Sequence, residues 1–115
     1  MTPHGEVALT FTATLIHQDF TRAHEMLAPE LRARISPSKI RDDFYRLFPA
    51  YAEGKATSIH CNEEFSMTEW PDKQPNDVGW AYVSIMGEDF AEAVAVTVAD
   101  FGGTLFIRAI EWGRP

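Results

Sequence analysis

Residues 78–112, VGWAYVSIMGEDFAEAVAVTVADFGGTLFIRAIEW, decide the fold of this chain. The stretch is rich in β-branched and aromatic residues, which favour strands, and it is interrupted at Gly87-Glu88-Asp89 and at Gly102-Gly103. Two glycines between strand-like runs are typical of a two-residue hairpin turn. The stretch therefore predicts three consecutive antiparallel strands.

The Gly102-Gly103 turn also predicts which residues lie opposite each other. The expected pairs are Phe101 with Thr104, Ala99 with Phe106, Thr97 with Arg108, Ala95 with Ile110 and Ala93 with Trp112. Side chains alternate between the faces of a strand, so these pairs share one face. The opposite face is aliphatic, with Glu92, Asp100 and Glu111 towards its ends, and it carries Val94, Val96, Val98, Leu105, Ile107 and Ala109.

The turn at Gly87 leaves two alternatives for Trp80 and Tyr82. A two-residue turn at Gly87-Glu88 places Tyr82 beside Ala93, on the same face as Phe106, whereas a three-residue loop reverses both aromatics. We prefer the first, because Ala81, Val83 and Ile85 then extend the aliphatic face. The resulting aromatic face consists of Trp80, Tyr82, Phe106, Arg108 and Trp112. Its four aromatic side chains would leave about 600–1,000 Å² bare, so we expect helices, a second copy of the chain or a ligand to cover it.

Composition excludes several classes of protein. The chain has 115 residues, 45% of them hydrophobic, and a formal net charge of −7 with no cluster of Lys and Arg, which argues against nucleic-acid binding. Cys61 is the only cysteine, so neither an intrachain disulfide nor a cysteine-based zinc site is expected. We see no signal peptide and no membrane-spanning stretch. These features predict one acidic, cytoplasmic domain over residues 1–115.

The first half of the chain has helical patterns. Residues 6–18 and 20–28 predict two helices, and Ser36-Pro37 is a start signal for a third, whose inner face carries Ile40, Phe44 and Leu47. Residues 57–70 alternate as an edge strand, and residues 71–77 read as an exposed loop. The expected fold class is therefore α+β, with three N-terminal helices packed on a curved, four-stranded antiparallel sheet.

With this order of elements the chain resembles the NTF2-like, or cystatin-like, superfamily, which includes ketosteroid-isomerase-like proteins. The resemblance rests on Gln18-Asp19-Phe20-Thr21-Arg22-Ala23, on the helix within residues 31–48 and on the strands that end at Trp112. It implies a sheet wrapped around the helices as a cone with a pocket, and frequent dimers through the sheet. It also implies either ligand binding or isomerase, cyclase or dehydratase chemistry.

Few residues point to catalysis. Asp100, Glu111 and Glu63 are weak candidates for an acid or base, although strand ends and exposed loops make a solvated role the simpler interpretation. The inner part of the first helix has Phe11 and Leu15 where an enzyme of this kind places polar groups. The spacing of the histidines predicts no metal site, and no cofactor-binding motif is present.

Our leading hypothesis is a non-enzymatic domain that forms a homodimer through the aromatic face. Its cone is a candidate pocket for a small apolar or anionic ligand, which Arg108 could clamp. The alternative is a small-molecule isomerase, cyclase or dehydratase that uses Asp100 or Glu111 as base. A third interpretation is an accessory domain that docks another protein with the same face.

Overall fold

Four helices precede four strands in a computed structural model that describes residues 1–47, 56–87 and 90–113. The general α+β class is confirmed, but the predicted set of three helices is wrong. The second predicted helix ends early, because its last turn gives way to an extended segment and Pro29 starts a helix of its own. The helices are α1 (Pro3–Ile16), α2 (Phe20–Glu25), α3 (Pro29–Arg34) and α4 (Pro37–Leu47).

Side-chain caps determine where several helices start. Thr2 accepts a hydrogen bond from the amide of Gly5 at 3.1 Å, so α1 begins earlier than residue 6. Asp19 accepts from the amide of Arg22 at the start of α2. Ser36 accepts from the amide of Lys39 at 3.1 Å, as its position before Pro37 predicts. The predicted end of the last helix near Pro49 lies outside the described residues.

The sheet contains β1 (Ala56–Cys61), β2 (Asp77–Gly87), β3 (Ala91–Phe101) and β4 (Thr104–Trp112), all antiparallel and in the order β1-β2-β3-β4. The amide of Gly87 donates to the carbonyl of Phe90 at 2.9 Å, and the two residues between them lie outside the described residues. Tyr82 consequently pairs with Ala95 and Trp80 with Thr97. These partners differ by two residues from the predicted ones, which leaves both aromatics on the predicted face.

Each of the two strands that pair with β3 contains a bulge, and both bulges lie next to Val98. Phe101 with Thr104 and Ala99 with Phe106 pair as predicted, but Val98 pairs with Ile107 and Thr97 with Ala109. Arg108 is therefore an extra residue in β4. Val78 is likewise skipped in β2, where Asp77 pairs with Ala99 and Gly79 with Val98.

The bulge at Arg108 reverses the two faces for the rest of β4. The predicted pairs Thr97–Arg108, Ala95–Ile110 and Ala93–Trp112 are wrong, because one extra residue shifts the alternation by one. Trp112 pairs with Val94 and packs against the main core. Glu111 pairs with Ala95 and lies on the face that had been predicted for Trp112.

Helices cover one face of the sheet, and the main core lies between the two layers. Helix α1 contacts all four strands, with Phe11 and Leu15 fully buried against them. Of the side chains of α4 that were predicted to point inward, Ile40 and Phe44 are fully buried, and Leu47 is half-buried against the main core. None of the described helices is long and apolar enough to cross a membrane. We call the opposite side of the sheet, defined by Trp80, Tyr82, Ser84 and Met86 of β2 with their partners, the open face.

The edges of the sheet differ from the prediction. The strand predicted over residues 57–70 ends at Cys61, and the chain then turns through residues 62–66 before Met67 pairs with Trp80. At the other edge, the backbone of residues 26–28 pairs with Ile107 of β4, with hydrogen bonds of 2.9 and 2.7 Å. This added segment satisfies part of an otherwise free strand edge.

Candidate functional site

Exposed apolar side chains concentrate on the open face. Among the described residues the exposed large apolar side chains are Met1, Phe65 (55% exposed), Met67 (39%) and Met86 (42%). All except Met1 belong to the open face: Met67 pairs with Trp80, Met86 belongs to the same row of β2, and the ring of Phe65 lies 5.4 Å from that of Tyr82. We call these three exposed side chains, together with Trp80 and Tyr82, the apolar patch.

The floor of the patch is formed by small residues that the larger side chains cover. Ala93 and Ala95 of β3 are buried, and Tyr82 is only 7% exposed. The indole Nε1 of Trp80 donates to the carboxylate of Glu111, so the two side chains connect β2 and β4 across β3. The aromatic face is therefore less bare than its sequence predicted, and what remains exposed is shifted toward β1 and β2.

Arg108 and Asp77 form an ion pair whose carboxylate is buried, unlike those of the other ion pairs between described residues. Nε and Nη2 of Arg108 each donate to one carboxylate oxygen of Asp77 at 2.7 Å, and the side chain of Asp77 is fully buried. Burial alone would raise the pKa of Asp77. Hydrogen bonds from Arg108 and from the amide of Gln74, with the charges of Arg108 and Lys73, outweigh burial and lower the pKa.

A cleft of about 520 Å³ adjoins this pair. It lies between α3, the loop that leads into β2 and the end of β3, and Arg108 and Asp77 are part of its lining. Sequence reasoning had assigned Asp77 to an exposed loop and missed its role. The signal for it was the single arginine in the apolar strand β4, because a partly buried guanidinium needs a carboxylate partner. The identity of that partner could not be read from the sequence.

The three candidate catalytic carboxylates do not come together. Asp100 is exposed at the end of β3 and accepts a hydrogen bond from the amide of Gly103 at 2.8 Å. Glu111 is exposed and bonded to Trp80, and Glu63 is exposed in the turn after β1. Asp100 pairs with Leu105 and lies on the aliphatic face, as predicted. Glu111 pairs with Ala95 and is not on the aliphatic face, where it was expected.

The ligand or dimer face predicted from the sequence is divided by the structure. Trp80 and Tyr82 belong to the apolar patch, whereas Trp112 lies on the helical side. The ring of Phe106 contacts Phe101 and lies 5.8 Å from the guanidinium of Arg32. Arg108 is directed to Asp77 rather than standing among aromatic side chains.

The remaining titratable residues have structural surroundings. His4 is buried against Gly79, and this burial lowers the pKa of His4, an effect that the charge of Glu63 only partly offsets. Cys61 is buried in the main core, as its alternation with Ile59 predicted. Within the described residues, no group of three or more His, Cys, Asp or Glu side chains is arranged to hold a metal ion.

Comparisons with known proteins did not assign this chain to a family. No protein-family model, no curated protein and no solved structure matched the chain.

Proposed function

We propose that this chain is a non-enzymatic binding domain that forms a homodimer through its open face. The observation that carries the proposal is the exposure of Phe65 beside Tyr82 and of Met67 beside Trp80, with Met86 exposed farther along the same row of β2. A single apolar side chain exposed on a surface costs little free energy. A group of neighbouring apolar side chains, in contrast, gains free energy when it is buried together.

A second copy is the occupant that the chemistry of the face favours. On the open face, the strand partners of Trp80, Tyr82, Ser84 and Met86 contribute one carboxylate, Glu111, and Trp80 already bonds to it, whereas Glu63 and Glu64 stand beside Phe65. Two identical patches can therefore meet about a twofold axis without bringing like charges into the centre of the contact. Binding to the patch therefore does not require a partner that carries an opposite charge.

The dimensions of the domain are sufficient for a stable interface. The described chain has principal extents of 41 × 31 × 21 Å, with the short axis expected for one helical layer on one sheet. Each broad side can supply the roughly 800 Å² per partner that specific interfaces bury. Helices followed by antiparallel strands also support the resemblance to NTF2-like domains, for which dimers through the sheet are implied.

The enzymatic alternative has weaker support. An isomerase-type mechanism requires a carboxylate that reaches substrate in a cavity. Asp100 and Glu111 do not line the cleft beside α3, and the carboxylate of Asp77, which does, is held by Arg108 and by the amide of Gln74. Glu63 lines a separate, open cavity of about 450 Å³ at the end of β1. The geometry therefore favours a binding role for both the face and the cleft.

Light scattering on a sizing column tests the proposal. We expect the wild-type chain to have twice the chain mass, with a dissociation free energy of about 4–8 kcal/mol or more, corresponding to dissociation constants of about 1 mM to 1 µM or tighter. Phe65→Glu removes an exposed ring and places a charge in the contact, so it should give a folded monomer. Ala33→Glu adds the same charge at an exposed position of α3 and should leave the dimer intact.

Circular dichroism separates dissociation from unfolding. A wild-type chain that stays monomeric at about 1 mM, or a folded Phe65→Glu variant that dimerises as strongly as wild type, would overturn the proposal. A monomer whose patch is covered only after a different protein is added would assign the face to a hetero-partner.

A further inference from the structure

The cleft beside α3 contains charged groups that the rest of the described chain does not neutralise. Glu30 and Arg34 stand one helical turn apart on α3, and both are exposed and line the cleft. Neither forms an ion pair with the other or with any other described residue. Neighbours at this spacing commonly pair when their charges are opposite. Here neither charge is held in an ion pair, although the charge of Glu30 acts on Arg108 and contributes to raising the pKa of that guanidinium.

Arg108 supplies a third polar group with its position already fixed. Asp77 occupies Nε and Nη2 of the guanidinium, and Nη1 has no hydrogen-bond partner among the described residues. The Arg108 side chain is 24% exposed, so part of it is in contact with solvent. The pair with Asp77 already fixes the orientation of the guanidinium. A ligand that accepts a hydrogen bond from Nη1 therefore costs little conformational entropy of the Arg108 side chain.

The remaining walls of the cleft are largely apolar. Pro29 and Leu31 of α3 stand on one side, and Pro75 and Phe101 stand on the other. A volume of about 520 Å³ is within the range of small-molecule sites. The cleft thus combines room for an apolar group with an anion-binding pair, Arg34 and Arg108, and one exposed carboxylate, Glu30, whose charge also acts on Arg108.

We propose that this cleft binds a zwitterionic ligand with an apolar side chain, namely an apolar α-amino acid. Its carboxylate accepts hydrogen bonds from Arg34 and Nη1 of Arg108, its ammonium group donates to Glu30, and its side chain packs against Phe101 and the prolines. The pair Arg108–Asp77 is neutral as a unit, so the charge left for the ligand is that of Arg34 and Glu30. A ligand that carries both signs matches this balance better than a plain anion.

The test is a titration of the ¹⁵N-labelled full chain with three probes of similar shape. L-Phenylalanine carries both charges, phenylacetate lacks the ammonium group, and phenethylamine lacks the carboxylate. We expect L-phenylalanine to shift the amide signals of residues 28, 30–34, 74, 76, 77 and 101, and to bind about tenfold more tightly than either partial probe, a difference of about 1.4 kcal/mol.

Two variants and two controls assign the groups. Arg34→Gln and Glu30→Gln should each weaken the binding of L-phenylalanine about tenfold. Arg34→Gln should leave the binding of phenethylamine nearly unchanged, and Glu30→Gln should leave the binding of phenylacetate nearly unchanged. Arg41→Gln and Glu25→Gln change exposed charges outside the cleft and should have no effect. Repeating the titration on the Phe65→Glu variant separates this inference from the proposed dimer, because the cleft is distinct from the apolar patch.

Three results would overturn the inference. Phenylacetate that binds as tightly as L-phenylalanine, with Glu30→Gln silent, would make the cleft a simple anion site. Equal binding by phenethylamine would make it a cation site. No shift of the cleft amides at about 10 mM L-phenylalanine would show that the charges are only solvated.

Discussion

Arg108 holds Asp77 by two parallel hydrogen bonds of 2.7 Å across the intervening strand β3. Both residues lie where β2 and β4 lose register with β3: Arg108 is the extra residue of β4, and Asp77 immediately precedes the skipped Val78. The ion pair therefore joins the two bulges, and it connects residues that are 31 positions apart in the chain.

Asp77→Asn should be among the most destabilising polar substitutions of the chain. It removes a fully buried carboxylate and leaves the guanidinium of Arg108, which is 24% exposed, without its counter-charge. We expect a loss of about 3 kcal/mol in the free energy of unfolding, measured by urea denaturation. Arg41→Ala breaks the exposed pair with Asp42 and should cost less than about 0.5 kcal/mol. Similar losses for the two variants would contradict the assigned importance of the buried pair.

Stability at acidic pH should depend on the same carboxylate. The folded state lowers the pKa of Asp77 below its ordinary value of 3.8, so the unfolded state binds the proton more readily. The contribution of Asp77 is therefore complete well above pH 3.8 and is lost as the pH falls through the lowered pKa. Asp77→Asn should flatten that part of the stability profile in thermal unfolding between about pH 5 and pH 2. An unchanged slope would contradict the prediction.

His4 should produce a second pH dependence at higher pH. Burial lowers the pKa of His4 from its ordinary value of 6.5, so protonation is easier in the unfolded state. Its contribution to stability is present above pH 6.5 and is lost as the pH falls through the lowered pKa. His4→Gln should remove this slope in urea midpoints measured between about pH 7 and pH 5. His17→Gln changes an exposed helix cap and serves as the control.

Gly79→Ala should disturb the contact between β2 and α1. A methyl group at this buried position would overlap the imidazole of His4. Because the helix packs on the strand there, we expect a loss of about 1–3 kcal/mol in the free energy of unfolding. The same substitution in a His4→Ala background should cost clearly less, since the overlapping ring is gone. Additive losses in this double-mutant cycle would show that another contact is responsible.

Salt should strengthen the proposed dimer. Glu63 and Glu64 are exposed beside Phe65, and Glu69 is exposed beyond Met67, so association through the patch brings carboxylates of two copies near each other. Raising the ionic strength from about 0.02 to 0.5 M shortens the screening length and should tighten dimerisation several-fold. Sedimentation equilibrium measures the effect. Weaker association at high salt would indicate ion pairs across the contact instead of an apolar one.

Much of the fold was accessible from local patterns. Gly102-Gly103 predicted its hairpin and the first pairs beyond it, and Ser36-Pro37 predicted the start of α4. The open-face position of Trp80 and Tyr82 was also predicted correctly, although their partners are shifted by two. A shift by two preserves the face of every side chain, whereas a shift by one does not.

The candidate sites were less accessible. The prediction of a single aromatic face required an unbroken ladder along β4, and the bulge at Arg108 exchanged the positions of Trp112 and Glu111. The most exposed side chain of the patch, that of Phe65, came instead from the segment after β1. The alternation over residues 57–70 did not predict that the chain leaves the sheet at residues 62–66 and returns to it at Met67.

The sequence by itself determined the class of the fold, the helix start at Ser36, and the alternating faces of the strands up to each bulge. These features depend on side-chain caps, glycine turns and the two-residue period of a strand, all of which act between near neighbours. The tertiary structure alone decided which face Trp112 and Glu111 occupy and what lines the cleft. The physical reason is that a bulge is a small local change whose cost is set by distant partners, here the carboxylate of Asp77 and the guanidinium of Arg108.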